Sequence, residues 1–86
     1  MVEKKVKIEI PTGLHARPAN QLCSTAKKFD CKITLIYETK FVDSKSILSI
    51  MAAGIRANSE VVIRCDGEDE IHALETISNL AASLRD

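Results

Sequence analysis

Hydrophobic and polar residues alternate near the start of the chain, with Val6, Ile8 and Ile10 set against Lys5, Lys7 and Glu9. A period of two places these sets on opposite faces of a half-buried strand, and Pro11-Thr12-Gly13 stops it. From Ala16 the spacing changes. Ala16, Ala19, Leu22, Cys23, Ala26 and Phe29 fall within one arc at helical spacing, which predicts an amphipathic helix with Arg17, Asn20, Gln21, Ser24 and Lys28 in solvent. Ile33, Leu35 and Tyr37 alternate with Lys32, Thr34 and Glu38, and Lys40-Phe41-Val42 follows almost at once, as in a hairpin. Its turn has no Gly or Asn to take a positive φ cheaply, so an irregular or longer connection is expected there.

Asp43-Ser44-Lys45-Ser46 offers capping residues before the apolar run 47–53, and Gly54 stands where a helix of two turns would end. A further strand runs from Glu60 to Cys65, with Val61, Ile63 and Cys65 on one face and Val62 and Arg64 on the other; Asp66-Gly67 closes it. Asp69 is placed to cap a last helix with an acid-rich first turn and an inward stripe of Leu74, Ile77, Ala81 and Leu84. The order βαββαβα implies one α+β domain over residues 1–86, a two-layer sandwich with a mainly antiparallel sheet and its helices on one face.

A chain of 86 residues has little room for both a core and a deep enclosed site, so its chemistry is expected at the surface. No apolar run reaches the roughly 20 residues of a membrane-spanning helix, and the start of the chain is no signal peptide. No membrane insertion is expected. Three cysteines are an odd number without paired spacing, which favours the cytoplasm and argues against a zinc site; Cys23 is expected in the core, and Cys31 and Cys65 in the sheet. Zero net charge and only three aromatic residues argue against nucleic-acid binding. The charge is nonetheless uneven. Through residue 45 nine Lys/Arg oppose five acids, a balance of +4, and from Ser46 onward three oppose seven, a balance of −4. Two solvated faces would account for this, as would a basic docking face for an acidic partner.

The chemistry concentrates in Gly13-Leu14-His15-Ala16-Arg17-Pro18-Ala19. His15 falls at a loop-to-helix junction as a candidate N-cap, where the amides of Ala16 and Arg17 point outward and the positive end of the helix dipole favours a neutral ring. Pro18 has no N–H to leave unpaired in the first turn and stiffens the site. A neutral imidazole is a nucleophile, and the Arg17 guanidinium could neutralise oxygens on an attacked phosphorus. These are the parts of a phosphohistidine site. Phosphoryl transfer asks mainly for positioning and charge stabilisation, which a shallow surface site can supply. His72, beside Glu68 and Glu75, reads as solvated surface.

This stretch, with Lys45-Ser46-Ile47-Leu48-Ser49-Ile50-Met51 and Gly54-Ile55, resembles the HPr family, the histidine-containing phosphocarriers of the bacterial phosphoenolpyruvate-dependent sugar phosphotransferase system. The likeness runs the length of the chain. It implies strand order 1-4-2-3, and a His15 that takes a phosphoryl group on Nδ1 from the phosphohistidine of enzyme I and gives it to a histidine of sugar-specific enzyme IIA components. Such a protein is a monomeric carrier rather than a stand-alone catalyst and needs no cofactor or metal. In Gram-positive members an ATP-dependent HPr kinase/phosphorylase modifies the serine matching Ser46, and a transcriptional repressor reads the product. An HPr-like regulator acting only through Ser46 and the second helix is the alternative. Ser49 stands where Gly is frequent, Ala52-Ala53 replaces larger or more polar residues, and Glu38-Thr39 replaces the commoner Asn-Gly turn.

Ser46 also suits a plain N-cap role, which needs only a short polar side chain. Ile47, Leu48, Ile50 and Met51 surround most of a two-turn helix, so some must stay exposed. Ile47, Leu48 and Met51, with Asn20, Ser24 and Lys27 of the first helix, are the expected docking residues, and Arg17, Lys27 and Lys45 would suit an acidic rim around a partner's apolar centre.

Overall fold

The computed structural model describes residues 1–11 and 13–84. Its elements are β1 (Val2–Ile8), α1 (Ala16–Ala26), β2 (Lys32–Tyr37), β3 (Lys40–Asp43), α2 (Ile47–Ala52), β4 (Ser59–Asp66) and α3 (Glu70–Ser83). The sheet order is β1-β4-β2-β3, as the resemblance implies, and every neighbouring pair is antiparallel. Val6 faces Val61, Leu35 faces Ile63, and Val42 faces Leu35, so buried apolar pairs join all four strands under the helices. The opposite face carries Glu3, Lys5 and Lys7, opposite Arg64, Val62 and Glu60. Charge along β1 therefore keeps one side of the sheet open to water, and the result is an open-faced sandwich. No helix among the described residues is long and apolar enough to cross a membrane.

Several local expectations change. The strand ladder of β1 ends at Ile8, while Ile10 is fully buried outside it and its carbonyl accepts from Gly13 N at 2.9 Å. In α1, Ala16 is exposed and Pro18 takes its place among the buried residues, because the helix turns its first residue toward solvent. Phe29 lies beyond the helix and is half-buried, its ring meeting that of exposed His72 edge-on at 5.3 Å. The β2–β3 connection is tight rather than long. Tyr37 pairs with Lys40, leaving Glu38 and Thr39 as the turn, and Glu38 accepts a φ of 56°. Register between Leu35 and Val42, both buried, fixes the turn length, and a non-glycine residue tolerates the left-handed conformation as a consequence.

Asp69 occupies the N-cap position of α3 but makes no capping bond with its side chain. Its carboxylate instead accepts from Asp30 N at 2.8 Å and Cys31 N at 2.9 Å, tying the start of α3 to the loop before β2. Glu70 accepts from Gly67 N at 3.1 Å, fastening the turn that leads into α3. The Asp30 amide, the leading cause, and the Cys31 thiol and amide hold the Asp69 carboxyl below the usual carboxylate range. A depressed folded-state value means that this stabilisation is present above the unfolded value, near about pH 4, and fades as pH falls through the folded one. Asp69→Asn is therefore expected to lower the urea midpoint at pH 7 and to lose that deficit progressively as pH falls through the folded value of the carboxyl. Equal deficits at pH 7 and below that value would show that the carboxylate charge is not the cause.

Cys23, Cys31 and Cys65 are free thiols and all are buried. Cys23 lies on α1 and Cys65 on β4, whereas Cys31 lies just before β2. Burial, followed by the Asp69 carboxylate, pushes the Cys31 thiol up to about 12, so it stays protonated and unreactive at neutral pH.

Candidate phosphoryl-carrier site

The loop between β1 and α1 is held at both ends. Gly13 turns at φ 76°, donates to Ile10 O, and passes the chain to Leu14, whose amide donates to Ile55 O at 3.0 Å. Leu14 is buried and anchors the loop, while the next residue, His15, is exposed. This alternation of an apolar anchor and an exposed imidazole raises the ring onto the surface without loosening its backbone. His15 is the N-cap of α1, with extended backbone at φ −95° and ψ −164°, and its carbonyl accepts the first helical bond from Ala19 N at 2.9 Å. Ala16 and Arg17 thus precede that first bond, and buried Pro18 contributes no amide. The site has two first-turn N–H groups next to one imidazole, with the exposed Arg17 guanidinium on the same turn.

His15 lines a shallow depression of about 460 Å³ with Pro11, Met51, Gly54, Ile55 and Arg56. A larger hollow of about 670 Å³ lies elsewhere, around Phe41, Arg64, Lys32 and Asp66, and contains neither His15 nor Arg17. The smaller depression holds His15, and Arg17 lies outside it on the first turn of α1.

One wall of it comes from α2. Ser46 caps this helix by accepting from Ser49 N at 3.2 Å, and the Ser49 hydroxyl in turn accepts from Asp43 N at 3.1 Å. Ser49 therefore has a defined role in holding the helix start. Gly54 follows the C-cap Ala53 at φ 64°, the terminator position expected for it. Ile50 is fully buried and Ile47 half-buried, but Leu48 is 82% exposed and Met51 43% exposed. Burying one face of so short a helix leaves these two in solvent. Asn20, Ser24 and Lys27 are exposed on α1, which packs against α2. Lys45 differs from expectation. Its ammonium donates to Phe29 O at 2.6 Å, so it ties α2 to the loop after α1 instead of projecting from the patch.

Arg56 is the residue that sequence reasoning left out. Nothing in its immediate neighbours marks it, and its place beside His15 depends on the bond between Leu14 N and Ile55 O, 41 residues apart in the chain.

Fold and site together define a carrier domain: an open two-layer α+β sandwich that presents one histidine at a helix start, in a surface depression too shallow to enclose a substrate. The family model for the PTS HPr component phosphorylation site matches residues 2–83. The chain is 40% identical to phosphocarrier protein HPr of Buchnera aphidicola subsp. Acyrthosiphon pisum, over 98% of this chain and 99% of that one. The structure is similar to HPr from Bacillus anthracis (TM-score 0.87, 34% identity, 92% of this chain and 94% of that one). It is also similar to an HPr dimer from Thermoanaerobacter tengcongensis (TM-score 0.76, 39% identity, 93% and 94%). The chain belongs to the HPr family, the phosphocarriers of the sugar phosphotransferase system.

Proposed function

We propose that His15 is the phosphoryl-carrying residue, taking PO3 from the phosphohistidine of enzyme I and passing it to a histidine of an enzyme IIA component. The observation that carries this reading is an exposed imidazole at the N-cap of α1, beside the Ala16 and Arg17 amides and the Arg17 guanidinium. In the transfer the donor's N–P bond breaks as the bond from Nδ1 of His15 to phosphorus forms, and the onward step reverses these roles. Arg17 and the two amides meet the phosphoryl oxygens, while Asn20, Ser24, Lys27, Ile47, Leu48 and Met51 form the docking surface. The protein works as a cytoplasmic monomer without cofactor or metal. The test is incubation with enzyme I and phosphoenolpyruvate followed by 31P NMR, where an acid-labile N–P signal is expected, and its transfer to added enzyme IIA.

The same proposal assigns Ser46 as a regulatory site for HPr kinase/phosphorylase, read in its phosphorylated form by a transcriptional repressor. Ser46 lies five residues from Met51, about 7–8 Å along the helix axis. A phosphate there adds roughly −1.5 to −2 of charge to the surface that meets an acidic partner. It is also compatible with the fold, because the cap accepts an anion at a helix start. Ser46→Asp is expected to slow transfer from enzyme I about tenfold or more while leaving the unfolding midpoint nearly unchanged, since Asp caps as well as Ser. Ser46→Ala should do the opposite, losing about 0.5–2 kcal/mol of stability with the cap while transferring normally. Unchanged transfer in Ser46→Asp would remove the regulatory role.

A further inference from the structure

Arg56 occupies the loop between α2 and β4, and both ends of that loop are fixed. Ile55 O receives the Leu14 amide, Arg56 O receives Ser59 N at 3.3 Å, and Asn58 N donates to Ile8 O at 2.6 Å. The loop also touches the chain that carries His15, since a Cβ placed on Gly13 would lie only 3.2 Å from the Arg56 Cα. His15 and Arg56 therefore line one depression from two rigid segments. Among the described residues its wall contains no Asp or Glu. Arg56 is exposed, and among the described residues its guanidinium enters no ion pair, unlike Arg64, which is paired with Glu3. An exposed guanidinium that lines the same depression as the imidazole is arranged for a guest that brings its own negative charge.

We propose that Arg56 is a second phosphoryl-binding side chain, which meets the oxygens of PO3 on His15 from the loop that lines the depression, while Arg17 approaches from α1. This deepens the assignment of His15 and rests on it. A planar guanidinium can offer two parallel N–H donors to a phosphoryl group, and two arginines approaching from different elements would hold it in one orientation on the ring. Arg17 is positioned by a helix and Arg56 by a loop stitched to the helix entrance. The pair would thus fix the direction in which phosphorus faces the next nucleophile.

A donor without a protein surface separates this role from partner recognition. Potassium phosphoramidate phosphorylates an imidazole directly: the unprotonated ring nitrogen attacks phosphorus, the P–N bond breaks, ammonia leaves with the bonding pair, and the proton on the other ring nitrogen passes to it to give ammonium. The rate is followed by 31P NMR in the full-length wild type, Arg56→Gln, Arg56→Lys and His15→Ala, at low salt and in 0.5 M KCl. Arg56→Gln is expected to react about three- to tenfold more slowly at low salt, and Arg56→Lys to recover part of that rate because it keeps the charge but loses the fork. High salt should narrow the gap, as screening of exposed charges shortens to a few ångströms. Thermal midpoints should match, which excludes damage to the fold as the cause. An Arg56→Gln rate equal to wild type at low salt overturns the proposal, and if enzyme I transfer alone were slowed, Arg56 would be reading the partner's surface. Labelling of His15→Ala at the wild-type rate would sink the His15 assignment itself and this inference with it.

Discussion

In His15→Ala, incubation with enzyme I and phosphoenolpyruvate is expected to leave no acid-labile phosphate on the chain, with the unfolding midpoint within about 1–2 °C of wild type. The loss should be complete because among the described residues no second nucleophile shares the depression: Pro11, Met51, Gly54, Ile55 and Arg56 include no side chain able to take phosphorus at neutral pH. Stability should hold for local reasons. His15 is exposed, its side chain makes no capping hydrogen bond, and its extended backbone is open to alanine without strain. Arg17→Ala provides the contrast. It retains the nucleophile and removes charge from the acceptor side, so transfer should persist at a rate about 10- to 100-fold lower, less than the loss of a buried oxyanion donor because this site is wet. Phosphate persisting in His15→Ala would move the chemistry to another side chain. Equal and total losses in both variants would mean that Arg17 holds the loop together rather than the charge.

What the sequence reveals about this site follows from how local each feature is. His15, Arg17 and Pro18 lie within one helical turn, so a loop signal followed by helical periodicity is sufficient to place imidazole, guanidinium and amides together. Ser46 and Gly54 bracket α2 for the same reason, because capping chemistry is decided within a few residues. Several of the misreadings involve a distant partner. Asp69 has the composition of a cap, yet the amides of Asp30 and Cys31 lie within its reach and win it. Glu38 sits in a turn whose length is dictated by strand register and not by its own preference. Lys45 looks like part of a basic surface, but a carbonyl after α1 engages its ammonium. Arg56 joins the site only through the stitch between Leu14 and Ile55. Strand order is similarly non-local, and the pattern alone yields the layers without the order; the family resemblance supplies it.

That stitch makes Gly13 the position where fold and chemistry meet, and Gly13→Ala is expected to be the most damaging single methyl on this surface. Two costs combine there. The backbone sits at φ 76°, where an L side chain is strained by roughly 1–2 kcal/mol, and the new Cβ would lie 2.5 Å from Ile55 O, a backbone atom that cannot rotate away. Relieving the clash means separating the His15 loop from the 54–57 loop, which stretches the bond from Leu14 N to Ile55 O and draws buried Leu14 from its seat. The combined destabilisation should reach about 2–4 kcal/mol, a fall in midpoint of about 10 °C or more for a chain of this size. Gly54→Ala separates the two costs. Its φ of 64° is nearly the same, but nothing lies within 4 Å of the added Cβ, so it should lose only the conformational part, about 1 kcal/mol. The functional readout should divide in the same way. At a temperature where both variants remain folded, Gly13→Ala should transfer phosphoryl groups several-fold more slowly than Gly54→Ala, because only the former shifts His15 relative to Arg56. If the two variants unfold at the same temperature and transfer equally well, the contact between the loops is not what holds the imidazole in place.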